Sequence, residues 1–73
     1  MYNFITDENA RLREKLIKFF MANRKGYFDI VYLSSYFSMP KDKLRINLNK
    51  LVKKGILEKH YFFSHEVYTY GGE

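Results

Sequence analysis

Lys41, Lys43, Arg45, Asn47, Asn49, Lys50 and Lys53 all fall in one stretch, SMPKDKLRINLNKLVKKG, residues 38–55. Their side chains are donors of three kinds. An ammonium meets a phosphate as a point charge, a guanidinium grips the O6/N7 edge of guanine with two bonds, and a carboxamide matches N6/N7 of adenine. Leu44, Leu48, Leu51 and Val52 interleave with them at steps of four, three and one, a helical spacing. A helix so built hides one side and shows its donors on the other, and such a helix fits the major groove of B-DNA. Lysine-rich helix faces also serve as plain solubilising surface, so the rest of the chain has to weigh the two.

The helical repeat sorts these residues around the axis. Asp42, Lys43, Ile46, Asn49, Lys50 and Lys53 fall opposite the leucine stripe, with Lys41, Arg45 and Asn47 on its flanks. Arg45 and Asn49 are the first candidates for base edges, followed by Lys41 and Ile46. Ile46 on an outward side suits a thymine methyl or a protein interface. Lys43, Lys50 and Lys53 are candidates for phosphate contacts. Asp42 reads as a partner of the helix dipole or as a cytosine contact. Asn47 reads as packing at the edge of the stripe. Further along, Lys59, His60, Ser64 and His65 are placed to reach backbone phosphates.

The charge supports a polyanionic partner. The chain carries 13 bases and 8 acids. Between positions 41 and 59 there are seven bases and two acids, and the remainder is balanced, so the whole net charge of +5 lies in that block. A basic block on an otherwise neutral domain is the footprint of a nucleic-acid surface.

Other chemistries find little to work with. There is no cysteine, and His60 and His65 are the two histidines, with Glu58 and Glu66 as nearby carboxylates. No metal or other cofactor is expected from that set. Ser34, Ser35, Ser38 and Ser64 lack a spaced His/Asp set, and there is no glycine-rich phosphate loop, so no enzyme is expected. No apolar run approaches the ~20 residues of a membrane span, and no secretory signal is visible. A cytoplasmic, DNA-associated protein with no membrane partner is the expectation.

The elements that must position the donors follow from punctuation and period. Seventy-three residues make one domain with a small core. Seven Phe and seven Tyr are expected to compensate for the short length by burying large areas. Residues 1–6 read as an N-terminal arm. Thr6 is a candidate N-cap, acids follow it, and Leu12, Leu16, Ile17, Phe19 and Phe20 keep a helical spacing up to Arg24, Lys25 and Gly26; this predicts a helix over 7–24. Tyr27-Phe28 is a candidate very short strand. Asp29 caps a short helix over 30–37, although Ile30-Val31 leans toward strand. Ser38-Met39-Pro40 is a break, and Pro40 opens the donor-bearing helix over 40–54, which Gly55 ends. ILEKHYFF and EVYTY, with Ser64-His65 between them, predict a two-stranded hairpin over 57–63 and 66–70, then a tail at 71–73. A lone hairpin is marginal in water, so its apolar face must lie on the helices.

Helix, short helix, tight turn, helix, hairpin resembles the winged helix-turn-helix family of DNA-binding domains over about residues 10–70. Its most specific part is LSSYFSMPKDKLRINLNKLVKKGILEK. The matching positions are Leu33 in the second helix, Ser38-Met39 in the turn (Ser38 where glycine is frequent), Leu48 with Leu51, Lys53-Lys54, Gly55, Ile56-Leu57 and Glu58. The resemblance implies an α+β winged helix, with three helices and a C-terminal two-stranded wing. It also implies a small stand-alone transcriptional regulator that inserts 40–54 into the major groove of double-stranded DNA. One such helix reads few base pairs, so a homodimer on a palindromic site is expected. Winged helices also serve as protein–protein adaptors, and RNA binding through the same basic face is a further alternative.

Overall fold

The computed structural model describes residues 8–72. Their order is α1 (Glu8–Ala22), β1 (Phe28–Asp29), α2 (Ile30–Phe37), α3 (Lys41–Lys53), β2 (Leu57–Phe62) and β3 (His65–Tyr70). The class is α+β: three helices packed against a three-stranded antiparallel sheet of order β1-β3-β2.

In α1, Leu12, Leu16 and Phe20 recur every fourth residue and all three are buried. The expected first cap, Thr6, and Asp7 lie outside the described residues. The helix stops at Ala22 rather than at 24 because Asn23 turns back on it. The Asn23 side chain donates Nδ2–H to the Phe19 carbonyl at 2.8 Å, and the Gly26 amide donates to the Asn23 carbonyl at 2.9 Å.

Asp29 serves two elements. Its extended backbone (φ −90°, ψ 170°) closes β1, and its carboxylate accepts from the Tyr32 amide at 2.8 Å, capping α2. That cap overrides the strand tendency of Ile30-Val31. At the far end Ser38 is left-handed (φ 52°), and the Met39 amide donates to the Ser34 carbonyl at 3.0 Å. The Ser34 hydroxyl donates to the Met39 carbonyl at 2.6 Å and ties the turn shut. Pro40, with φ −60°, then leads straight into α3. The end of α3 is set by Gly55, whose φ of 82° favours a residue without Cβ.

The sheet departs from the two-stranded expectation. β1 lies at 28–29, one residue later than the sequence suggests, and pairs Phe28 with Tyr68 and Asp29 with Val67. β3 therefore becomes the central strand, with Val67, Tyr68 and Thr69 all buried. The third strand satisfies an edge that a bare hairpin would leave to water. The hairpin turn also differs. Phe62 pairs with His65, so the two-residue turn is Phe63-Ser64, not Ser64-His65, and both turn residues have positive φ (49° and 73°). Two positive φ values are what a two-residue type I′ turn demands.

The core is leucine-based: Leu12, Leu16, Leu33, Leu44, Leu48, Leu51 and Leu57, with Phe20 and Tyr68. Phe19, Phe28, Phe37 and Tyr70 pack around its rim. The aromatic residues are thus less uniformly interior than expected, since Tyr27, Tyr32, Tyr36, Tyr61, Phe62 and Phe63 stay exposed. Among the described residues no helix is long and apolar enough to cross a membrane.

Candidate functional site

α3 is the element around which the candidate donors are arranged, and each of its sides has a different neighbour. Leu44, Leu48 and Leu51 point into the core and fix the helix's rotation. The remaining directions face α1, the sheet, or solvent.

On the α1 side lies a polar seam. Asn47 is wholly buried. Its Oδ1 accepts from Arg13 Nη1 at 2.9 Å, and its Nδ2 donates to Asn9 Oδ1 at 3.1 Å and to the Lys43 carbonyl at 2.9 Å. A buried carboxamide with its donors and acceptor engaged is a structural pin. Lys43 belongs to the same seam. Its ammonium donates to Glu8 Oε1 at 2.8 Å, and this hydrogen bond and its charge hold the Glu8 carboxyl below its ordinary value. The helical repeat puts Lys43 opposite the leucines, whereas the structure draws it toward α1, half-buried.

On the sheet side Arg45 stands between two carboxylates. Its Nη1 is 3.5 Å from Asp42 Oδ1 and its Nε is 3.6 Å from Glu66 Oε1, loose ion pairs with a side chain still 41% exposed. The same Glu66 oxygen accepts from the Tyr68 hydroxyl at 3.2 Å. Burial, and then the Glu66 charge and hydrogen bond, push the Tyr68 phenol above its ordinary range. Lys59 lies on this sheet face, its ammonium 5.7 Å from the centre of the Tyr68 ring. By register, Tyr61 shares the face with Lys59 and Glu66.

The third side is open. Ile46, Asn49, Lys50, Val52 and Lys53 line a shallow depression of about 530 Å³. Ile46 is 59% exposed. Lys50 and Lys53 are exposed, and among the described residues neither ammonium has a partner. Lys41, at the first turn, and Asp42 are exposed as well.

Of the residues that the sequence singles out, the structure brings Ile46, Asn49, Lys50 and Lys53 together. Arg45 borders them on the sheet side, and Lys59 follows on the adjoining strand. Lys41 sits at the end of the helix, Lys43 is engaged elsewhere, and His65 lies at the far end of the hairpin, on the sheet face of Phe62 and His60. Sequence reasoning missed Glu66 as a neighbour of Arg45, because that proximity depends on strand register. It also missed Arg13 and Asn9 as the partners of Asn47. The face these residues make is cationic at Lys50 and Lys53, apolar at Ile46 and bifunctional at Asn49; it can neutralise phosphates and read a donor–acceptor pattern at once. No protein-family model, no curated protein and no solved structure matches this chain.

Proposed function

We propose that this chain is a winged-helix domain that binds double-stranded DNA through α3, as a transcriptional regulator. The observation that carries the reading is the open side of α3, where Lys50 and Lys53 flank Ile46 and Asn49 while the leucines opposite hold the helix in place. The order of elements, with the tight Ser38 turn between α2 and α3 and a hairpin after Gly55, supports the same reading. In this scheme α3 lies in the major groove. Asn49 and Arg45 face base edges, Ile46 meets a thymine methyl, and Lys50, Lys53 and Lys41 meet phosphates. Lys43 acts indirectly, by fixing α3 on α1. Arg45 leaves its two loose carboxylate pairs when a base edge offers a bidentate acceptor.

The test is a binding titration with mixed-sequence duplex across a salt series, with single-stranded DNA and RNA as competitors. Duplex binding that weakens linearly in log–log form with salt, and that resists RNA competition, is the expected result. Preferential displacement by RNA moves the activity to the same face with a different partner. Absence of binding at low salt rejects the reading.

A second reading rests on a separate observation. The outer side of α2 exposes Val31, Tyr32 and Tyr36, and the Phe28, Tyr32 and Tyr36 rings follow one another at 5.5 and 6.0 Å. An apolar face of this kind suits a protein partner, including a second copy of the chain. Sedimentation with and without duplex separates a DNA-bound dimer from an adaptor that ignores DNA.

A further inference from the structure

We propose that the groove between α1 and the α2–α3 turn docks an acidic amphipathic helix of a partner protein. This inference goes beyond the DNA reading, because the groove shares no lining residue with the open side of α3.

The charge count of the sequence hides a second line of cations. Outside positions 41–59 bases and acids balance, yet the fold keeps them apart. Arg11, Lys15 and Lys18 follow one another along α1 at steps of four and three, so they form one stripe of the helix. All three are exposed, and among the described residues none forms an ion pair.

Beside the stripe runs an apolar trough. Two depressions of about 200 and 330 Å³ meet at Lys15, which lines both. Leu12 and Met39 floor the first, and Phe19, Tyr36 and Phe37 floor the second. The three rings pack on one another. Phe19 lies 4.9 Å from Tyr36 and 5.6 Å from Phe37, and Tyr36 lies 4.9 Å from Phe37, centre to centre. The floor is thus set before anything binds, which lowers the cost of binding. Tyr36 is nonetheless 58% exposed. Among the described residues that line the two depressions Glu8 is the sole acid, and Lys43 already holds it at 2.8 Å. Together the depressions follow α1, whose 15 residues span roughly 22 Å.

This combination selects the occupant. The floor calls for apolar side chains and the stripe for carboxylates. A helix lying along α1 supplies both, with leucines at i, i+3, i+4 and i+7 on the rings and a row of glutamates beside them. Its carboxylates then recur at the same steps as Arg11, Lys15 and Lys18. A phosphate backbone would answer the cations and leave the floor unfilled. A second copy docked here about a two-fold axis would set the cations against each other.

The test is an NMR titration of the full chain, labelled with nitrogen-15, against three helical peptides of about 15 residues. The first carries a glutamate row beside a leucine row. The second has its leucines replaced by glutamine, and the third its glutamates. The first should shift the amide signals of Lys15, Lys18, Phe19, Tyr36, Phe37 and Met39, leave those of Ile46, Asn49 and Lys50 in place, and bind more weakly as salt rises. The other two peptides should bind roughly tenfold more weakly or worse. Lys15→Glu with Lys18→Glu changes two exposed sites, so it should melt near the wild-type temperature. It should bind the first peptide roughly tenfold more weakly, whereas Lys50→Ala with Lys53→Ala binds it like wild type. Shifts centred on Ile46, Asn49 and Lys50 overturn the proposal, as does a leucine-free peptide that binds equally well. A duplex that moves the groove signals while the first peptide leaves them in place assigns the stripe to nucleic acid and overturns it too, as does the absence of any shift in dilute buffer. Duplex binding through α3 is read separately, so either reading can fail without the other.

Discussion

Two sides of α3 carry the same residue types and use them in opposite ways. Toward α1 the helix presents Asn47 and Lys43; toward solvent it presents Asn49 and Lys50. Asn47 has no exposure and satisfies Arg13, Asn9 and a backbone carbonyl, and Lys43 is tied to Glu8. Asn49 and Lys50 border an open depression. The contrast shows that the neighbour decides a polar residue's role. A carboxamide among buried partners is a pin, and two positions along the helix the same group is free for a ligand.

The largest effect expected from this contrast is on stability. Asn47→Ala deletes the buried carboxamide's hydrogen bonds to Arg13 Nη1, to Asn9 Oδ1 and to the Lys43 carbonyl, and should lower the unfolding free energy by about 2–3 kcal/mol. Asn49→Ala removes no described contact and should stay within about 0.5 kcal/mol of wild type. Urea titration of the two variants reads the difference directly, and equal losses would erase the distinction between the two sides.

A smaller effect belongs to the sheet side of α3. Tyr68→Phe deletes the hydrogen bond to Glu66 and should cost about 1 kcal/mol near neutral pH. It should also change the alkaline limb. Burial raises the Tyr68 phenol, so the unfolded chain ionises first as pH climbs past the ordinary tyrosine value of 10.0. Stability is therefore present below that value and lost above it, up to the raised folded value. Thermal melts of wild type and Tyr68→Phe between neutral and strongly alkaline pH should show a shallower fall for the variant.

The smallest effect is at the exposed end of the α1 seam. Lys43 lowers the Glu8 pKa, so this pair contributes above the ordinary carboxyl value of 4.5 and its contribution fades as pH falls through the lowered folded value. Glu8→Gln should flatten that part of the acid limb slightly. Added salt should shrink the difference, since the carboxylate is solvent-exposed.

Much of this arrangement is legible in the sequence because it is local. Asp29 and Pro40 bracket α2, and the structure has that helix at Ile30–Phe37, as the spacing predicts. The leucine period fixes which side of α3 is buried, and with it the open set of Ile46, Asn49, Lys50 and Lys53. What is not legible depends on distant partners. Arg13 and Asn9 meet Asn47 across separations of 34 and 38 residues, and Glu8 meets Lys43 across 35. No helical wheel contains them. The approach of Glu66 to Arg45 depends on strand register, and β1 is too short for a period of its own. The Phe63-Ser64 turn escapes because its sequence lacks the glycine or asparagine that ordinarily marks positive φ.

The central claim is that α3 meets DNA with its open side, and the matched lysines test it most directly. The slope of log affinity for duplex against log salt should fall by about one unit in Lys50→Ala and again in Lys53→Ala. Lys43→Ala, whose ammonium is already committed to Glu8, should keep the wild-type slope. A slope that drops as much for Lys43→Ala as for Lys50→Ala, or wild-type protein that ignores duplex in dilute buffer, would contradict the account.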